Sequence, residues 1–159
     1  MQKTELELLQ EQMEQYKHKI KEYEQLIQDI SVPIIQSVVP DTLLLPVSGK
    51  LSPERFEIIY AKLMDYSRLS EVSWLVVDFT AISVKEIGEM DTFGRYIENI
   101  HAALKLMGVQ VIFSGFTPGV SQELVRSGLS LSRDFTTFST FRKALQYIMD
   151  RKGLVLTGK

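Results

Sequence analysis

Two short stretches carry the residues that could do chemistry. Asp78-Phe79-Thr80 closes an apolar run, Trp74-Leu75-Val76-Val77, and Met90-Asp91-Thr92-Phe93-Gly94 opens a long helical pattern. A hydroxyl at the mouth of a helix faces solvent and lies at the positive end of the helix dipole, where free backbone N–H groups can cradle an anion. Thr92 is therefore placed to receive a phosphate, which would make the chain a phosphorylation-controlled switch. The same position suits a helix cap, with Asp91 or Thr92 satisfying orphan N–H groups, and one residue pair can serve both purposes.

Other chemistry is poorly provided for. The chain has no cysteine, so disulfides, thiol catalysis, zinc thiolate sites and iron–sulfur clusters are excluded. His18 and His101 each lack a second ligand at metal spacing. Asp65, Asp78, Glu86, Glu89 and Asp91 form a run of acids, but nothing in their spacing sets two of them in general acid/base geometry. No glycine-rich phosphate loop is present. The expectation is a protein that is not an enzyme and uses no cofactor or metal. A net charge of −2 argues against nucleic acid or an anionic membrane as the main partner. No apolar stretch is long enough to span a bilayer and the N-terminus is polar, so a cytoplasmic protein is expected.

The elements that must position Asp78 and Thr92 begin near residue 32. Before that point apolar residues fall at Leu6, Leu9, Met13, Tyr16, Ile20, Tyr23, Ile27 and Ile30, alternating steps of three and four. This is the heptad seam of a coiled coil. Residues 1–31 are read as a dimerisation helix, in which Lys19 of one copy would face Glu24 of the other. The competing reading is an amphipathic helix folded back on its own globular part.

After Pro33 the pattern changes. Ile34-Ile35 and Thr42 to Val47 read as strands parted by a turn at Pro40-Asp41. Ser52-Pro53-Glu54 starts a helix that runs to about Ser70. Trp74 to Thr80 and Val109 to Phe113 read as buried strands, with a helix from about Asp91 to Met107 between them, closed by Gly108. Thr117-Pro118 opens a short helix that Gly128 closes, Phe135 to Phe138 is extended, and Thr140 to Lys152 is a last helix. Residues 153–159 form a frayed tail. Apolar strands alternating with helices imply an α/β domain over 32–152 with a mixed, mostly parallel sheet, its first two strands antiparallel.

Over these residues the chain resembles the STAS domain (sulfate transporter and anti-sigma-factor antagonist), and more closely the RsbR-type co-antagonists of the bacterial stressosome. The matching text is Ile34-Ile35 with Leu44-Leu45-Pro46-Val47-Ser48-Gly49 and Glu54-Arg55; Val77-Asp78-Phe79-Thr80; Leu106 to Gly115 with Pro118, Leu124-Val125 and Gly128; and Leu131-Ser132, Thr137 to Phe141 and Ala144-Leu145. The order and spacing of the pieces, rather than any one of them, carry the likeness.

The resemblance implies a STAS fold and a scaffold that binds a switch-type serine/threonine kinase. It implies phosphorylation at the helix that follows the Asp-x-Ser/Thr strand. Met90-Asp91-Thr92 resembles the acceptor motif, with Thr92 in the acceptor place. Asp78, Thr80, Asp91 and Glu123 are the implied partner-binding positions. Glu123 falls where some members carry a second phosphorylated threonine, so a fixed negative charge stands there. The implied partners are the kinase, RsbR/RsbS-like STAS paralogues in a large assembly, and a second copy through the N-terminal helix. Two departures are visible. A few more residues than usual separate Asp78 from Thr92, covering roughly Val84 to Glu89. An ungapped alignment would set Ile87 at the acceptor place, and Ser83 becomes the alternative acceptor. The sensor domain common in front of such domains is also replaced here by the coiled coil. The rival function is a ligand-responsive module that binds a nucleotide or small anion near Thr92 and signals through its coiled coil.

Overall fold

The computed structural model describes residues 2–69, 71–127 and 135–158. The chain divides into two compact units, Met1–Ser31 and Val32–Lys159. The first is a single helix, α1 (Glu5–Ser31). Thr4 starts it with a reciprocal cap: the Thr4 N–H donates to Glu7 Oε2 at 3.0 Å and the Glu7 N–H to Thr4 Oγ1 at 3.3 Å. His18 pairs with Glu22 one turn on, at 3.0 Å. Every seam residue is more than half exposed along the helix, from Met13 at 53% to Ile30 at 67%.

The second unit runs β1 (Ile35–Gln36), β2 (Thr42–Pro46), α2 (Pro53–Leu69), β3 (Trp74–Asp78), α3 (Val84–Ile87), α4 (Met90–Leu106), β4 (Gln110–Ser114), α5 (Pro118–Arg126), β5 (Thr136–Phe138) and α6 (Phe141–Lys152). The five strands lie in chain order, β1-β2-β3-β4-β5. β1 is antiparallel to β2, and the remaining pairs are parallel. The mixed, mostly parallel sheet is thus as expected. Small shifts separate expectation from structure: the first strand is Ile35–Gln36 rather than Ile34-Ile35, and Val47 lies just beyond β2. The helix at Pro118 ends at Arg126 with Ser127 as its cap, while Gly128, Leu131 and Ser132 lie outside the described residues.

Buried strands still alternate. Leu43, Leu45, Leu75, Val77, Val111 and Phe113 point to one face and pack with Phe56, Ile59 and Leu63 of α2 and with Phe93, Ile97, Ile100 and Leu104 of α4. Trp74, Val76 and Ile112 point to the other and pack with Ala144, Ile148 and Met149 of α6. Each such aliphatic side chain gains about 1.5–3 kcal/mol on burial, and covering both faces is what a parallel sheet requires. Helix ends follow from local chemistry. Ser52 Oγ accepts from the Arg55 N–H at 3.2 Å, with Pro53 at the first helical position. Thr140 caps α6, and Gly153 ends it in the left-handed conformation at φ 67°. Among the described residues no helix is long and apolar enough to cross a membrane.

Candidate functional site

Parallel pairing brings the carboxyl ends of three strands level: Pro46 pairs with Asp78, and Asp78 with Ser114. That edge of an α/β sheet is where loops converge. Asp78 is the centre of the convergence. Its Oδ1 accepts from the buried Ser114 hydroxyl at 2.6 Å and from the Thr80 hydroxyl at 3.0 Å, and its Oδ2 accepts from the Thr80 N–H at 3.2 Å. Its carbonyl accepts from the Val47 N–H at 2.9 Å, and the Phe79 N–H donates to the Ser114 carbonyl at 2.8 Å. One residue, through its carboxylate and its carbonyl, therefore ties together the chain leaving β2, β3 and β4. A short carboxylate suits the place: it reaches its own backbone two residues on and still has an oxygen to accept from both hydroxyls.

Gly115 completes this knot. Its φ is +78°, and a Cβ there would lie 2.3 Å from Thr80 Oγ1 and 2.6 Å from the Thr80 nitrogen. Both the backbone conformation and the close approach require glycine.

Between Asp78 and Thr92 the chain folds into the one-turn helix α3. Glu86 reaches back to the Ser83 N–H at 2.8 Å, and the Ser83 hydroxyl donates to the same carboxylate oxygen. The Ser83 hydroxyl, then its N–H, hold the Glu86 carboxyl below the usual carboxylate range. The Glu86 carbonyl accepts from the Leu51 N–H at 2.6 Å, pinning α3 to the β2–α2 loop. Ile87 is 3% exposed. It is a core residue, so the position that an ungapped alignment would use as acceptor serves packing instead.

Gly88, at φ 72°, turns the chain into α4. The cap of α4 is Glu89, with extended backbone and no side-chain cap bond. The expectation that Asp91 or Thr92 caps this helix is corrected: α4 starts at Met90 with extended backbone at Glu89, so both lie inside its first turn. Thr92 is half-buried, and its hydroxyl donates to Glu89 Oε2 at the long distance of 3.4 Å. Asp91 is exposed. Thr92 stands on the rim of a groove of about 460 Å³ lined by Leu51, Phe56, Ile87 and Phe93, with Lys50, Ser52 and Glu89 at its polar edge. Beneath it, Phe93 meets Phe79 edge-on at 5.6 Å, and Phe79 stacks on Phe116 at 5.1 Å. Aromatic contact thus runs from the first turn of α4 to the loop after β4.

Of the residues singled out from sequence, the structure brings Asp78 and Thr80 into one bonded cluster and sets Asp91 and Thr92 on the next helix start. Glu123 stands apart on α5, paired with Arg126 at 3.1 Å. His101 lies against Phe135, with ring centroids 4.9 Å apart. Ser114 and Glu86 were not identified as partners from sequence. The signal for Ser114 was present, since it ends β4 as Asp78 ends β3, each after an apolar run. Among the described residues no group of acids and histidines could hold a metal ion.

No family model matches the chain. It is 28% identical over 121 residues to the blue-light photoreceptor of Listeria monocytogenes, covering 76% of this chain and 46% of that protein. It is 27% identical over 131 residues to the RsbT co-antagonist protein RsbRB of Bacillus subtilis, covering 82% and 45%. It is also 31% identical over 77 residues to the Bacillus subtilis protein YezB, covering 48% and 72%. The chain thus spans less than half the length of the photoreceptor and the co-antagonist it matches. Among solved structures, an RsbS variant from Moorella thermoacetica superposes with a TM-score of 0.63 at 22% identity, covering 77% of this chain and 98% of that one. A chain of the stressosome, described as a signal integration and transduction hub, gives 0.59 at 19%, covering 76% and 98%. The anti-sigma factor antagonist SpoIIAA in its unphosphorylated form gives 0.57 at 19%, covering 79% and 99%. The fold of residues 32 onward is the fold of these antagonists.

Proposed function

We propose that this chain, a member of the STAS-domain family similar to the RsbR-type co-antagonists, is a regulatory scaffold subunit of a partner-switching pathway and is switched by phosphorylation at Thr92. A serine/threonine kinase would dock on the edge formed by the ends of β3 and β4 and the start of α4. The Thr92 hydroxyl attacks the γ-phosphorus of a bound nucleoside triphosphate. The new O–P bond replaces the bond to the β-phosphate oxygen, the nucleoside diphosphate leaves, and the hydroxyl proton passes to the catalytic base of the kinase. The phosphate brings a charge of about −1.5 to −2 at neutral pH. The α4 N–H groups attract that charge, while Glu89 and Asp91 repel it. The effect on the domain is small, and the effect on a partner that must desolvate this rim is large.

The observation that carries the reading is the contrast between two hydroxyls. Thr92 Oγ1 is held by a bond of 3.4 Å, whereas Ser83, the alternative acceptor, has its hydroxyl and its N–H both taken by Glu86. Thr92 is the acceptor that needs no rearrangement. Asp78 and Thr80 set the shape of the docking edge, and Asp91 lends it charge. Glu123, on the neighbouring α5, keeps a permanent negative charge at a second partner contact. The bare seam of α1 supports pairing with a second copy, and likeness to RsbS, RsbRB and a stressosome chain supports assembly with STAS paralogues. A pull-down with the cognate kinase tests the switch. Thr92→Asp is expected to lose kinase binding and Thr92→Ala to keep it; equal retention by Thr92→Asp would sink the reading.

The groove of about 460 Å³ beside Thr92 favours a second reading, a module that binds a nucleotide or small anion there. A rise in melting temperature with ATP or GTP, absent in Thr92→Asp, would select it over the first.

A further inference from the structure

We propose that residues 154–157 act as an added strand, which pairs antiparallel with β1 of a second copy of this chain. The inference rests on the pairing of two copies through α1, proposed above, and adds a second contact to it.

The acceptor is the edge of the sheet. β1 is the outermost strand, and among the described residues no other strand pairs with its far side. Its free groups can be named. The Ser37 N–H donates to the Thr42 carbonyl at 2.9 Å, in register with the pairing of Ile35 and Leu44. Backbone groups alternate in direction along a strand, so Ile35 and Ser37 bond to β2 while the N–H and carbonyl of Ile34 and Gln36 face outward. Such an edge is a template for a further extended chain. It is also apolar. Opposite residues share a face, so Ile35 lies with Leu44 on the side of the sheet where α6 packs, yet it stays 48% exposed at the rim of that cover.

The donor is the segment after α6. Residues 154–157 read Leu-Val-Leu-Thr between Gly153 and Gly158, a strand-forming run set between two turn residues. Its root is fixed, because the Leu154 N–H donates to the Met149 carbonyl at 2.8 Å. Beyond the root it leaves its own domain, with Val155 81% and Leu156 75% exposed. The root also sits beside the end of β1, since Lys152 Nζ lies 3.6 Å from the carboxylate of Asp41 in the turn between β1 and β2. Donor and acceptor thus share one rim of the molecule. A two-fold arrangement that sets the segment of one copy on β1 of the other sets the reverse contact too, which makes the rim self-complementary.

The pairing has a definite register. With Val155 opposite Gln36, the outward N–H and carbonyl of Gln36 bond to the Val155 carbonyl and N–H. Ile35 then falls opposite Leu156 as a non-hydrogen-bonded pair, with about 4.5 Å between Cα atoms, and two exposed apolar side chains cover one another. So small a contact does not hold two molecules together alone. It forms between copies that α1 already tethers, where effective concentration stands in for affinity. Its effect is to close the open edge of each sheet to other extended chains.

The chain has no cysteine, so a disulfide reports introduced residues alone. The test mixes full-length Ile35→Cys with size-tagged, full-length Leu156→Cys, lets the copies exchange and then oxidises them. The control replaces the first chain by Asn99→Cys, whose residue is exposed on α4 over the other face of the sheet. The expected result is a covalent mixed dimer that forms about tenfold faster than in the control, because only residues a few ångströms apart can bridge. Val155→Pro in the tagged chain removes the N–H that meets Gln36 and should return the rate to that of the control. Equal rates from Ile35 and Asn99 overturn the proposal, and so does a rate indifferent to Val155→Pro. Preferential closure within one chain that carries both Ile35→Cys and Leu156→Cys overturns it as well, since the segment then lies on its own edge. Sedimentation of the wild type tests the underlying pairing separately. A dimer that gives no bridge removes the edge contact and spares α1, and a monomer removes both.

Discussion

Helices α1 and α4 carry the same kind of apolar spacing and meet opposite fates. In α4, Phe93, Ile97, Ile100 and Leu104 step by four, three and four, and each is buried against the sheet. In α1 the seam from Leu6 to Ile30 steps the same way and stays more than half exposed. Periodicity therefore reports that a helix needs a partner, and not which partner it has. The neighbours of the stripe supply that. α4 is flanked by buried strands that want a cover, whereas α1 is followed by Pro33 and forms a compact unit of its own.

Truncations on the two seams should separate these fates most strongly. Phe93→Ala is expected to cost the second unit about 3–5 kcal/mol, since a fully buried ring leaves a cavity under the candidate site. Ile20→Ala should leave the melting temperature of that unit unchanged. A large loss from Ile20→Ala in calorimetry would mean that α1 packs on its own chain.

Gly115→Ala comes next. Strain at φ +78° and a methyl group 2.3 Å from Thr80 Oγ1 should cost about 1–3 kcal/mol, and the loss should appear as faster exchange at the Thr80 and Phe79 amides. Ile20→Lys should then abolish self-association in sedimentation, with changes in the unfolding free energy of the second unit within about 0.5 kcal/mol.

The smallest effect compares the two reciprocal caps. The folded Glu86 carboxyl is held below the usual carboxylate range, chiefly by the Ser83 hydroxyl, next by the Ser83 N–H, with Lys85 adding to this. A depressed folded value means that the stabilising contribution is present above the ordinary value and is lost as pH falls through the depressed one. Acidification through that window should loosen α3 while α2 and α4 stay protected, read as local amide exchange.

Much of the fold was legible because its signals are long. Helix starts at Ser52-Pro53 and Thr117-Pro118 and the apolar runs at Trp74 and Val109 each span enough residues for pattern to speak. What escaped was short or distant. α3 is too brief for a helical period, so Ile87 read as loop although it is core. The cap of α4 fell to Glu89, which makes no side-chain cap bond, so the cap-forming residue types at Asp91 and Thr92 pointed two and three residues too far along. The Asp78–Ser114 bond joins residues 36 apart and exists only because the two strands are in register.

The order of the strands has one more consequence. Because the sheet is laid down β1-β2-β3-β4-β5, each strand pairs with the one made just before it. Within these five, no strand waits for a partner from much later in the chain, so the sheet can grow in the direction of synthesis, each addition extending an edge already in place.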